Sequence, residues 1–421
     1  MVIKKQININ EDLFFLLGLL TTMQILTLGG LTGFSLVLVL TAVIALVLTG
    51  KRLKPDTYFW ASVVVSSLTI FLSVCNGSLT NGFRKAAIVG GITHLLLLVI
   101  YLIMNTKANY AAKLLQGFEL SCKITLVWCC LQLAVYYLLH KDLNAVVLGQ
   151  LLRIPEARGD YVNGALIPSG FYYHRAILIP SFIYLFFSTS SPYWMGLILV
   201  VGCLTRSTAL IMGLVLGLAF KVCSLCLKNP PRIIKQKKLI LILPGVAIAI
   251  VGIVAVSPKI AELVGYIVTR VADATSNKTD NSSVVHFLYY KNLFQILRKM
   301  DFLHLLLGTG FGTSGIHYTW FNGQYADFNS WVVESDYVNI LLGQGIVGFA
   351  LWGYILVKVI LLSIQQKYWE NVAFILIVAF VGIMYNIQFT WFLVVEFAML
   401  ILTKNQKRIF NSGQDGGNIQ I

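Results

Sequence analysis

Charge is scarce in this sequence. Only 12% of its 421 residues are Asp, Glu, Lys or Arg, while 57% are hydrophobic, so the charged fraction is about half that of an ordinary soluble domain. That shortage excludes water as the main solvent. Acidic residues are the scarcer sign, 17 against 32 Lys and Arg, for a formal net charge of +15. Seven cysteines (Cys75, Cys122, Cys129, Cys130, Cys203, Cys223, Cys226) lie in or beside apolar segments and none falls in the two long polar stretches. No disulfide framework is expected. Cys223 and Cys226 form a lone CxxC without a second pair, which reads as membrane edge rather than zinc ligation. There is no Walker loop, no HExxH and no serine elbow. Gly308, Gly310, Gly312 and Gly315 follow no strand pattern and make no dinucleotide fingerprint. A nucleotide-driven or zinc-dependent mechanism has no motif to stand on, and neither metal nor cofactor is expected.

What the chain does have is apolar runs long enough to cross a bilayer, about 20 residues each. They fall near 13–30, 32–50, 58–76, 86–104, 118–139, 176–190, 193–206, 207–227, 238–256, 335–362, 369–387 and 389–403. The expected fold is an all-α polytopic membrane protein with about twelve spans in a single integral domain, 1–421, because uninterrupted apolar blocks are unlike the alternating strands of a barrel. Lys4 and Lys5 ahead of the first run imitate a signal peptide, but no small-residue cleavage site follows, so this run reads as a retained span. Placing the N-terminus in the cytoplasm puts Lys51, Arg52 and Lys54, then Lys107 and Lys113, then the basic group from Lys221 to Lys238, and finally Lys404, Lys407 and Arg408 on the inner side. The positive-inside rule favours that orientation, with both termini cytoplasmic. No internal repeat is evident.

The same orientation leaves two long loops outside, 140–175 and 257–334. The second contains 284–300, where Lys291, Asn292, Gln295, Arg298 and Lys299 oppose Tyr290, Phe294 and Leu297. That pattern fits an interfacial amphipathic helix or a helix packed on the spans. Arg206 sits at a tight turn between two apolar runs, with a helix start at Ser207. Its guanidinium suits a phosphate, the alternative being an arginine snorkelling to headgroups. Arg175, after Tyr172, Tyr173 and His174, has the same setting at the start of another span. Glu334 and Asp336 flank Ser335 at the start of the tenth span, where capping explains one polar group and proton transfer from a hydroxyl another. His286 and His317 are rival bases. Lys358 and Glu396, inside apolar runs, are expected to pair across helices.

Four stretches together resemble the O-antigen polymerase (Wzy-type) and ligase superfamily. They are Phe171 to Pro180, Leu204-Thr205-Arg206-Ser207, Leu307-Gly308-Thr309-Gly310-Phe311-Gly312, and Glu334-Ser335-Asp336-Tyr337 leading to Gly343-Gln344-Gly345-Ile346-Val347-Gly348. Arg153 and Gly164 in the first loop are also similar to a spacing of some polymerases. The resemblance implies a metal-independent glycosyltransferase of the bacterial inner membrane that polymerises undecaprenyl-diphosphate-linked repeat units into O-antigen or a related surface polysaccharide, on the periplasmic side. It implies Glu334 and Asp336 as catalytic carboxylates and Arg175, Arg206, Arg153 and Arg158 as ligands of the lipid diphosphate. Implied partners are the lipid-linked glycans, membrane lipids, a chain-length regulator and a flippase, with no nucleic acid. The ligase branch shows His-Asn where this chain has Asp336-Tyr337, which favours polymerase over a ligase acting on lipid A core. A lipid-linked oligosaccharide flippase and a non-catalytic scaffold are the readings from other classes.

Overall fold

The computed structural model describes residues 9–22, 27–28, 31–49, 53–75, 81–151, 160–162, 165–170, 178–205, 207–228, 290, 293–311, 335–383, 385 and 392–405. The described chain is mostly helical, as hydrocarbon demands of a backbone that must satisfy its own hydrogen bonds. In chain order the helices are α1 (Ile9–Leu20), α2 (Gly33–Thr49), α3 (Thr57–Cys75), α4 (Asn81–Met104), α5 (Ala108–Leu139), α6 (Leu178–Ser188), α7 (Pro192–Leu204), α8 (Thr208–Lys228), α9 (Phe302–Leu307), α10 (Asp336–Gln365), α11 (Trp369–Val381) and α12 (Leu393–Lys404). Four of them are long and apolar enough to cross a membrane: α3, α4 from Ala87 on, α5 and α10. The helices α6, α7, α11 and the 209–222 stretch of α8 are apolar but shorter. The protein is therefore an all-α membrane protein in its described parts. The expected span at 238–256 lies outside the described residues.

Two boundaries differ from expectation. The run at 13–30 is not one helix: α1 stops at Leu20, and Thr27–Leu28 (β1) pairs antiparallel with Leu31–Thr32 (β2). The Thr21 hydroxyl donates to Gly18 O at 2.6 Å, and Gly29 and Gly30 stand between the strands in the sequence, a pair suited to a two-residue hairpin. In the other direction, α5 starts at Ala108 rather than 118. Its 32 residues make it about 48 Å long, more than the hydrocarbon thickness.

Close approach of α1 and α5 sets one side of the bundle. A Cβ at Gly18 would lie 2.0 Å from Leu114 O, and one at Gly117 would lie 2.0 Å from Phe15 O. Small residues at such a crossing let backbones meet, which is how helices associate where burial alone gives no driving force. The Thr22 hydroxyl bonds Ser121 and, at 3.0 Å, Thr125.

The described parts of the first long loop are folded and fastened to α5. After α5 ends at His140 (φ 52), Asn144–Leu151 forms a π-helical segment, and Asp160–Val162 (β3) pairs with Ala165–Ile167 (β4). Gln132 and Asn144 fasten it to α5. Gln132 Oε1 accepts from the Ser169 and Gly170 N–H groups at 3.2 Å, Asn144 Nδ2 donates to Gly170 O at 3.1 Å, and Trp128 Nε1 donates to Asn144 Oδ1 at 2.8 Å. In the second loop, the helical stretch 293–299 buries Leu293 and Ile296 against Val338 and Leu342 of α10. This is the packed form of the amphipathic segment, with Phe294 left exposed.

The expected pairing of Lys358 with Glu396 does not occur. Lys358 donates to the Tyr354 hydroxyl one turn away and sits over that ring, on a half-buried flank of α10. Glu396 is fully buried on α12 and both its carboxyl oxygens are without a hydrogen-bond partner. A four-residue spacing let the lysine satisfy itself locally.

Candidate functional site

Helix α10 is broken. Gly345, inside its range, has φ 68 and ψ −172, so the helix is two pieces joined at a kink within an apolar span. A break frees backbone carbonyls, which are costly to leave unsatisfied in a membrane interior. The loop after α9 supplies the missing donors. Thr309 N–H donates to Leu342 O and Gly310 N–H to Gly343 O, each at 3.0 Å, and the Thr309 hydroxyl adds a third bond to Leu342 O. This contact is as close as backbones come: a Cβ at Gly345 would lie 2.3 Å from Leu306 C and O, and one at Gly308 would lie 2.3 Å from Gly343 C. Glycine is needed at 345 for both reasons, its positive φ and the absence of room.

The other side of that loop is held by α3. Ser62, Ser66, Thr69 and Ser73 recur at helical spacing and form one buried hydroxyl stripe. The Thr69 hydroxyl reaches Leu307 O at 2.7 Å, and the Ser73 hydroxyl reaches Thr309 O at 2.7 Å. Each also bonds a carbonyl of its own preceding turn. Phe311, next in the chain, lies on α4, where it stacks on His94 with ring centroids 4.8 Å apart and where a Cβ at Gly90 would meet its own Cβ at 2.7 Å. The glycine run from 308 and the Gly343–Gly348 motif thus lock together between α3, α4 and α10. The glycine pattern at 343, 345 and 348 inside an apolar run was the available signal for the break.

Beneath the loop lies a cavity of about 20 Å³. Its polar lining is Tyr58, Ser62 and Ser66 of α3, His94 of α4, and Gln344 and Trp352 of α10. Asp336 opens the same helix whose Ile340, Gln344, Gly348 and Trp352 line the cavity, the break at Gly345 falling among these lining residues.

At the start of α10, Ser335 is the N-cap, its hydroxyl accepting from Val338 N–H at 3.5 Å. Tyr290 donates to Ile383 O at 2.7 Å and meets the Ser335 hydroxyl at 2.8 Å, tying the second loop to the end of α11. Burial pushes the Tyr290 phenol up, and the nearby Asp336 carboxyl adds to this while the Ser335 bond opposes it. Asp336 itself is fully buried at the first helical position. Its N–H donates to Gly382 O at 2.9 Å, and a Cβ at Gly382 would come within 2.8 Å of its Oδ2. Glu396 lies within electrostatic reach of Asp336. Of the two possible caps, Ser335 takes the role and Asp336 is left as a buried carboxyl.

The other sequence candidates, Glu334, Arg153, Arg158, Arg175, Arg206, His286 and His317, lie outside the described residues. Around Arg206 the flanks agree with a tight turn: Thr205 closes α7 through its hydroxyl on Gly202 O at 2.6 Å, and the Ser207 hydroxyl accepts from Leu210 N–H at 3.3 Å to cap α8. Residues not anticipated from the sequence are His94, Gln344, Trp352 and the hydroxyls of α3. Among the described residues, no group of three or more His, Cys, Asp or Glu side chains is placed to hold a metal ion. No model of a known protein family matches the chain, and no curated protein matches it.

Proposed function

We propose that the protein is a glycan polymerase of the bacterial plasma membrane that joins polyprenyl-diphosphate-linked repeat units on the outer face. One observation carries the reading: the two glycine motifs on which the resemblance rests, 33 residues apart at Thr309 and Leu342, meet at the broken helix and bring the second loop onto α10. In this reaction a hydroxyl of the incoming lipid-linked unit attacks the anomeric carbon of the growing chain. The glycosyl–phosphate bond breaks, and the lipid diphosphate leaves with the electron pair. A preactivated donor of this kind requires binding of the diphosphate and removal of one proton. Arg206, between the end of α7 and the cap of α8, would meet a diphosphate with its fork of donors beside a helix N-terminus. Arg175, Arg153 and Arg158 are the further cations of the two loops. Asp336 is sealed from solvent, so the proton acceptor in this reading is Glu334, two residues earlier in the chain, with Asp336 shaping the helix start.

A flippase of lipid-linked oligosaccharide is the second reading, and the structure supplies an observation in its favour. A discontinuous span next to buried carboxyls, here Gly345 with Asp336 and Glu396, is a feature of substrate sites in transporters. The two readings separate in proteoliposomes loaded with lipid-linked repeat units already on the outer face. Elongation without added nucleotide is expected of the polymerase, whereas transfer across the bilayer with no longer product would replace it by the flippase. Arg206→Ala and Arg175→Ala are expected to insert normally and to leave products of a single repeat unit. Long chains from both variants would remove the arginines from the site.

A further inference from the structure

The cavity under the broken helix has its own chemistry, independent of the function proposed above. Its lining contains no Asp, Glu, Lys or Arg, so it is built for neither a cation nor an anion. Three of its polar atoms, Trp352 Nε1, His94 Nδ1 and Ser62 Oγ, are buried and have no hydrogen-bond partner, and the two nitrogens are the ones without a rotatable hydrogen. The indole N–H is a donor only, whereas the imidazole nitrogen donates or accepts according to tautomer. Leaving both bare in a membrane interior is unfavourable, and a polar cavity with room for one oxygen atom is the usual remedy. The Ser62 hydroxyl, beside the Tyr58 phenol, and the Gln344 amide complete the rim.

We infer that this cavity is a binding site for a single hydroxyl oxygen, which accepts from Trp352 Nε1–H and bonds His94 Nδ1. A group that is both donor and acceptor satisfies the two nitrogens whichever tautomer His94 takes, whereas a carbonyl does so only when Nδ1 carries the proton and an alkyl group never does. The volume of about 20 Å³ admits one such oxygen and no ring. Water satisfies this description, and so does one hydroxyl of a larger ligand. Through His94, which stacks on Phe311 of the loop, the bound oxygen would stiffen that contact.

The full-length protein in lipid nanodiscs can be tested by X-ray hydroxyl-radical footprinting, in which radicals formed from a bound water label the side chains that touch it. Trp352 and His94 are expected to be oxidised several-fold faster, after correction for intrinsic reactivity, than the equally buried Met399 and Tyr184. In Trp352→Phe, which keeps the ring and removes the donor, labelling of His94 should fall to the level of Met399. His94→Gln should preserve labelling at Trp352 and His94→Phe should abolish it, a contrast that loss of folding would not produce. Adding a polyprenyl-diphosphate-linked saccharide separates the two sources: retained labelling identifies water as the occupant, and selective protection of Trp352 and His94 identifies a ligand hydroxyl that displaces it. Wild-type Trp352 and His94 as unreactive as Met399 would show a dry cavity and overturn the inference.

Discussion

At the residue scale, most of the polar groups in this bundle are explained by what sits one turn away. Lys358 finds Tyr354, Thr21 finds Gly18 O, and Lys123 pairs with Glu119 at 2.7 Å. Such i, i+3 and i, i+4 partners are readable from spacing alone. The α3 hydroxyls were readable too, because Ser62, Ser66, Thr69 and Ser73 keep helical register. Their partner, a loop more than two hundred residues away, was not, since nothing local encodes it. Asp301 offers a clean test of a local device. It caps α9, accepting from His304 N–H at 3.0 Å, and also meets the His304 ring. The His304 amide first, and then its side chain, hold the Asp301 carboxyl below its ordinary value. A depressed folded value means the cap is fully in place above the unfolded aspartate range, about 3.9, and is lost as pH falls through the lower folded value. Protection of the His304 amide, its exchange rate relative to the intrinsic rate at each pH, should therefore hold down to about pH 4 and fall below it as Asp301 protonates. Asp301→Ala should abolish that protection at every pH.

At the scale of the element, α10 carries the main lesson. Composition alone makes 335–362 an uninterrupted span, and the ends are indeed close to Asp336 and Gln365. The interruption at Gly345 depends on a loop that arrives to take over the freed carbonyls of Leu342 and Gly343. Gly345→Ala should thus be among the most damaging single-methyl additions in the chain. At φ 68 and ψ −172, a region essentially reserved for glycine, the backbone costs an alanine about 1–3 kcal/mol by itself, and the added methyl meets the Leu306 carbonyl. Denaturation of the purified variant in nanodiscs should show the loss. A variant as stable as the parent would mean that α10 and the loop can separate without penalty. The same physics explains the early end of α1 and the long start of α5: hydropathy reports solubility in lipid, whereas helix ends follow hydrogen bonds and contacts.

At the scale of the whole molecule, orientation and site belong to different kinds of information. The distribution of Lys and Arg predicts cytoplasmic termini. A single cysteine appended after Ile421, in a background lacking exposed cysteines, should be labelled by an impermeant maleimide only in inside-out vesicles. Labelling in right-side-out vesicles would invert the assignment of both long loops and with it the proposed outer-face chemistry. By itself the sequence determined the solvent, the helical class and the places where helices run, because a bilayer selects on length and polarity, and these are properties of single segments. The residue pattern also offered Asp336 or Ser335 as a natural cap, and Ser335 takes that role. Only the tertiary structure decided that Asp336 is sealed, that Lys358 and Glu396 stay apart, and that α10 is broken beside a polar cavity. Those facts depend on which distant segment meets which face. The apolar pattern fixes how deep a residue sits but leaves its neighbour open, and it is the neighbour that turns a lone serine, histidine or tryptophan into part of a site.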